Sequence, residues 1–256
     1  MASVKKNIFL TVGAAIFVVI AGHGLSWADD APAAQRYGEC LKRADTRPKE
    51  AFEDAIAWRD MGGGPPAEHC AATALIQLGL FADAAKRLED LARRINKTPD
   101  FKADLLGQAA QAWLLAERPG PAAALATAAL NLDPDSIELR IDRAQARAAT
   151  GDFHGAISDL NQALARNPRR YDALTFRSSA KRRLKNNTGA LTDVNAALAI
   201  KSNHPEALLE RGILHRLNEN KDAARADWMT VLNHAPKSAA ADAARANLEK
   251  MDVKVR

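Results

Sequence analysis

The chain has 256 residues, 47% hydrophobic, 26% charged and 5% aromatic, with 14 Gly, 2 Cys and a formal charge of +5. That is enough chain to bury a sizeable core as one or two domains, and it excludes a disordered chain, a collagen and a disulfide-dense miniprotein. Alanine is abundant while β-branched and aromatic residues are scarce, which points to helix, and an isoelectric point near 9.3 raises nucleic acid or a membrane surface as partners.

Residues 1–28 read as a secretory signal peptide. Lys5 and Lys6 form a positive start, and Ile8 to Gly22 is apolar and uncharged. That stretch is short of the roughly 20 residues a membrane span needs. Ser26-Trp27-Ala28 then places small residues at −3 and −1, ahead of Asp29 and Asp30. An uncleaved N-terminal anchor is the alternative. Cleavage removes two of the 36 basic residues and no acidic one, leaving 34 against 31, or +3. The small excess and the export route argue against nucleic acid. No other segment is long and apolar enough to span a bilayer. The expected location is the periplasm.

Residues 29–64 read as an irregular helical hairpin. Its second helix begins near Pro48, carries Ala51, Ala55 and Trp58, and stops at Gly62-Gly63-Gly64. Export gives Cys40 and Cys70 an oxidising setting. A Cys40–Cys70 disulfide would close a loop of about 30 residues, stabilising by on the order of 3–4 kcal/mol in the chain-entropy model. Two buried thiols, or a redox or metal pair, are the other readings, although no CxxC is present.

From residue 65 the chain repeats every 34 residues, in rows 65–98, 103–136, 137–170, 171–204 and 205–238, with 99–102 inserted. The eighth column holds Ala72, Ala110, Ala144, Ser178 and Gly212. The twentieth holds Ala84, Ala122, Ala156, Ala190 and Ala224. Leu130, Leu164, Leu198 and Leu232 share column twenty-eight, and Pro134, Pro168 and Pro236 share column thirty-two with Ser202. Each row therefore holds two helices and a turn. Small residues let the pair approach closely, leucine fills between them, and proline ends the second helix. One such hairpin cannot bury both apolar faces, so successive rows must stack. Residues 239–256 read as a capping helix with Ala241, Ala244 and Leu248 inward, followed by a short tail from 251.

These columns resemble the tetratricopeptide repeat (TPR) family over residues 65–238, with 29–64 as a degenerate first unit. The aromatic expected near column eleven is kept as Trp113 but replaced by Arg147 and Lys181. The resemblance implies an all-α, right-handed superhelical solenoid of helix-turn-helix repeats. It also implies a concave groove lined by the first helix of each repeat. Carried over by column, the candidate groove residues are Gln108, Gln111, Gln145, Phe176, Ser179, Arg182, Arg183, Ile213 and Arg216. This mixed lining suits a protein or peptide segment. It lacks the asparagine of a carboxylate clamp, since column nine holds Gln111, Gln145, Ser179 and Ile213. The run Lys181-Arg182-Arg183 with Lys185 is either an acidic-peptide patch or a solvated helix face.

Arg143, Arg177 and Arg211 share column seven, and Asp159, Asp193 and Asp227 share column twenty-three of the same rows. Both columns change together elsewhere, to Ala71 with Arg87 and Ala109 with Leu125. They read as structural ion pairs between the two helices of a hairpin, with a ladder of ligand-binding charges as the alternative. His69, His154, His204, His215 and His234 are scattered, without metal spacing, nucleophile elbow or phosphate loop. No catalytic, cofactor-binding or metal site is expected. The expected role is a non-enzymatic scaffold or assembly factor, or else an accessory or chaperone-like subunit of an envelope enzyme or an export or maturation complex.

Overall fold

A computed structural model describes residues 31–252. The proposed signal peptide and the last four residues lie outside them. Thirteen α-helices follow one another, with no strand among the described residues. They are α1 (Ala31–Thr46), α2 (Pro48–Trp58), α3 (Gly64–Gln77), α4 (Phe81–Arg94), α5 (Pro99–Leu115), α6 (Pro119–Leu132), α7 (Ile137–Thr150), α8 (Phe153–Arg166), α9 (Tyr171–Arg183), α10 (Asn187–Ile200), α11 (Pro205–Leu217), α12 (Lys221–His234) and α13 (Ala239–Asp252). A single π-helical turn, Arg59–Gly63, joins α2 to α3. No helix among the described residues is long and apolar enough to cross a membrane.

The chain divides into two compact units, the break falling after Ala146 inside α7. In the first unit α1 packs on α2 and α3, and each later helix to α6 packs on its neighbour in sequence. One of its core clusters contains Leu75, Ala84, Ala85, Ala110, Trp113, Ala122 and Ala126. Cys40 and Cys70 are joined by a disulfide that ties α1 to α3. In the second unit α8 to α13 pack in the same sequential way, and α11 also touches α9 and α13. In α13, Ala240, Ala241 and Ala244 are buried while Leu248 is only half-buried.

The small-residue columns are closely covered. Ala72, Ala84, Ala110, Ala122, Ala144, Ala156, Ser178, Ala190 and Ala224 are each at most 1% exposed. A polar side chain survives in this setting only if it is bonded. The buried Ser178 meets that demand, its hydroxyl donating to the Ala190 carbonyl on the facing helix at 2.9 Å. Where column eight shrinks to Gly212, column twenty-four grows. Leu88, Ala126, Leu160 and Val194 stand there in the other rows, and Trp228 in this one, fully buried. Its indole occupies the space a methyl would need, because a Cβ built on Gly212 would lie 2.3 Å from Nε1. The indole nitrogen donates to the Leu209 carbonyl at 3.3 Å.

The turns inside the hairpins share one backbone solution. Gly79, Glu117, Gly151, Lys185 and Glu219, all in column fifteen, have positive φ. Only two of the five are glycine, so three turns hold a side chain in the left-handed region, a conformation costing about 1–2 kcal/mol. The next residue caps the second helix in three rows. Asp152, Asn186 and Asn220 accept from the amides of Gly155, Gly189 and Ala223 at 2.8, 3.0 and 3.1 Å. Such caps contribute about 1 kcal/mol each.

Gly212→Ala should lower stability by about 1–3 kcal/mol, because a methyl forces Trp228 out of its slot. A urea-unfolding midpoint unchanged from wild type would contradict this packing. Gly212→Ala combined with Trp228→Leu should recover part of the loss.

Candidate protein-binding face

The charged columns build interhelical and inter-repeat brackets. Arg177 grips Asp193 in a two-pronged pair, Nε to Oδ2 at 2.8 Å and Nη2 to Oδ1 at 2.7 Å. Its third nitrogen, Nη1, donates to Asn161 Oδ1 at 2.8 Å on the preceding repeat. Arg211 does the same with Asp227 at 2.9 and 2.7 Å, and donates to Asn195 at 3.4 Å. The hydrogen bond to Asp227 pushes the Arg211 guanidinium above its ordinary range. Column eleven also places a base at each carboxylate. Arg147 reaches Asp159 at 2.8 Å, Lys181 reaches Asp193 at 2.7 Å and His215 stands 3.8 Å from Asp227. Arg143 and Asp159 lie on opposite sides of the division at Ala146. The aspartates are almost fully covered, and a buried carboxylate persists only when paired and hydrogen-bonded.

Polar groups on the first helices also bridge repeats. The buried His69 sits between Tyr37 Oη at Nδ1 and Gln108 Oε1 at Nε2, both at 2.8 Å, linking α1, α3 and α5. Nε2–H donates to the amide oxygen, which leaves Nδ1 to accept from the tyrosine hydroxyl. Burial lowers the His69 pKa to about 4. Gln111 donates to both carboxylate oxygens of the buried Asp142 at 3.1 Å. Arg182 forms a two-pronged pair with the buried Glu210 at 2.6 and 3.0 Å, and its Nη2 also reaches Ser179 at 3.4 Å. In the second unit His204 bridges α9 and α11, its ring edge-on to Tyr171 and its Nδ1 accepting from the Ala207 amide. Burial, then the Lys201 charge, lower its pKa to about 4.

Residues 111–181 match the family model of the tetratricopeptide repeat. The chain carries tetratricopeptide repeats over that stretch. Its fold is the all-α TPR solenoid of helix-turn-helix units, as in three solved structures. The TPR protein TTC0263 of Thermus thermophilus is 21% identical, with TM-score 0.61, and covers 72% of this chain and 100% of its own. MamA from Desulfovibrio magneticus RS-1 is 14% identical, with TM-score 0.54, over 70% of this chain and 93% of its own. YrrB, described as a TPR protein with an unusual peptide-binding site, is 14% identical, with TM-score 0.50, over 78% of this chain and 98% of its own. No curated protein matches the sequence.

The TPR frame shows how differently the nine expected groove residues are placed. Gln108, Gln111 and Arg182 are engaged in bonds between repeats, and Ile213 is buried at 5% exposure. Gln145, Phe176 and Ser179 are half-buried, while Arg183 and Arg216 are exposed. The basic run does not act as one patch. Lys181 turns to Asp193, Arg182 to Glu210, and Arg183 lies over the Phe153 ring at 5.1 Å. Lys185 sits in the left-handed turn position.

Two structural columns escaped the sequence reading. Column twenty-five supplies the acceptor for the following repeat, through Asn161, Asn195 and also Glu89, which takes the Trp113 indole N–H at 2.5 Å. Column eleven supplies a base at each buried aspartate. Its Arg147, Lys181 and His215 stand where the family aromatic was expected, so the departure from the TPR pattern serves the buried aspartates. The recurrence of asparagine at 161 and 195, one repeat apart, was the available signal for the acceptor column. Among the described residues no three metal-capable side chains come together.

Asp193→Ala should destabilise by at least about 2 kcal/mol, because it strands both Arg177 and Lys181. A change within about 0.5 kcal/mol, the usual surface range, would contradict that role. Stability should also fall as pH drops from 6.5 towards 4. In that window the unfolded chain, with histidines at 6.5, binds protons that folded His69 and His204 exclude. Thermal midpoints at pH 7 and about pH 4.5 test this, and His69→Gln should shrink the difference.

Proposed function

We propose that this chain is a non-enzymatic periplasmic scaffold or assembly factor that holds a protein partner on the first-helix face of its repeats. TPR folds are protein-interaction modules in general, and the repeats at 111–181 support that coarse role. The observation that carries the finer reading is the composition of the α9 and α11 surface. Phe176 and Ser179 on α9 are half-buried, and Arg183 on α9 and Arg216 on α11 are exposed, so the two helices offer an aromatic ring together with cationic side chains. Their neighbours Arg182 and Glu210 are locked together, which holds the two helices in fixed register beneath the partner. A peptide segment with an apolar side chain and nearby carboxylates fits that surface. The peptide-binding site in the description of YrrB accords with this mode of use. Export rests on the signal-like segment 1–28.

The test is capture of partners from periplasmic extract by the wild-type protein and by Arg183→Glu with Arg216→Glu. Both residues are exposed, so the fold should persist, and helical circular dichroism checks it. The principal partner should be lost or weakened at least about tenfold, roughly 1.4 kcal/mol. Undiminished capture of every partner would remove the face assignment. N-terminal sequencing of the exported protein should begin at Asp29.

A further inference from the structure

We propose that Cys40 is a thiol-exchange site, reachable from one side only, at which a protein dithiol reduces the Cys40–Cys70 bridge. A cleft of about 340 Å³ opens between α1 and α2 in the first unit. Its walls include Arg36, Cys40, Arg43, Asp54, Trp58 and Met61. Cys40 is 8% exposed at this cleft, whereas Cys70 is wholly covered. Both sulfurs belong to one buried cluster with Ala55 and Ala71, against which Tyr37, Leu41, Phe52 and Ile56 pack, and Cys70 is the more deeply covered of the two. Thiol–disulfide exchange requires a thiolate to approach one sulfur in line with the bond it breaks. Cys40 lines the cleft and Cys70 does not, so a thiolate entering the cleft meets Cys40 first.

The cleft also suits the reagent. Arg36 and Arg43 line it together with Glu39 and Asp54, Arg43 being paired with Asp54, so an approaching surface meets charges of both signs. Arg36 lies 4.9 Å over the Trp58 ring, and Met61, 70% exposed, stands beside it as an apolar contact for an approaching surface. A small protein thiol therefore meets charge and apolar area together.

The exchange balances as follows. The reductant's thiolate forms a new S–S bond with Cys40 Sγ. The Cys40–Cys70 bond breaks, and Cys70 leaves as thiolate and takes a proton. The second thiol of the reductant then attacks its own sulfur in the mixed disulfide and releases Cys40 as a thiol. The reductant's two thiols become a disulfide, and the chain gains two electrons and two protons. Reduction removes the covalent tie between α1 and α3 and leaves the Tyr37–His69 bond, the Gln77–Asp45 bond at 3.3 Å and the Arg43–Asp54 pair.

The experiment mixes the oxidised full chain, without denaturant, with a thioredoxin-type protein whose resolving cysteine is replaced by serine. The trapped mixed disulfide is mapped by mass spectrometry. The adduct should sit on Cys40. An adduct on Cys70, or no trapped complex, would overturn the proposal. In parallel, folded Cys70→Ser should react with a thiol reagent at least about tenfold faster than folded Cys40→Ser. Equal rates would overturn the one-sided access.

Discussion

The close contact of small residues between paired helices is the constraint on which the rest of this structure depends. Alanine against alanine brings two helix backbones near enough that little else fits between them. Apolar burial alone does not set that distance, since larger side chains would hold the helices apart and still bury area. Ser178 and Gly212 show the tolerance of the arrangement. The serine is accepted because its hydroxyl finds the Ala190 carbonyl, and the glycine because Trp228 fills the vacancy. In this row the small residue at one position is offset by a large one facing it.

Close packing of nearly identical hairpins leaves register undetermined, because alanine offers no feature to lock against. The buried aspartates supply that lock. Asp193 and Asp227 each hold an arginine in two-pronged geometry, and the same arginine reaches asparagine on the repeat before it. A bidentate pair fixes direction as well as distance. Its net stabilisation is modest, because both ions give up water, but breaking it leaves an expensive orphan. At Asp193 the second base, Lys181 of column eleven, spreads the carboxylate charge over two partners. The first unit uses single hydrogen bonds instead, with His69 between Tyr37 and Gln108, and the Trp113 indole donating to the Glu89 carboxylate.

These brackets shape what is left for recognition. Several side chains that an isolated helix would present to a partner are held by the neighbouring repeat, notably Gln111, Arg182 and Gln108. On α9 and α11 the expected groove residues that are neither in such bonds nor fully buried are the half-buried Phe176 and Ser179 and the exposed Arg183 and Arg216. A stiff backbone under few exposed anchors lowers the ordering cost of binding. The disulfide plays a separate part near the start of the chain, joining the irregular α1 to the well-patterned α3.

The 34-residue period by itself determined the helical hairpins, because small residues, leucine and proline recur at spacings that only paired helices satisfy. It also marked Arg177 with Asp193 and Arg211 with Asp227 as partners, since these columns change together. The Asn161 and Asn195 acceptors, the His69 bridge and the Arg182–Glu210 pair stayed hidden. Each joins residues on different repeats, 16, 39 and 28 positions apart. Nothing in local spacing distinguishes such residues from solvated polar surface. Only stacking decides which polar atoms lose water and must find each other. That is why composition and period sufficed for the fold, while the tertiary structure chose which of the expected groove residues remain on display.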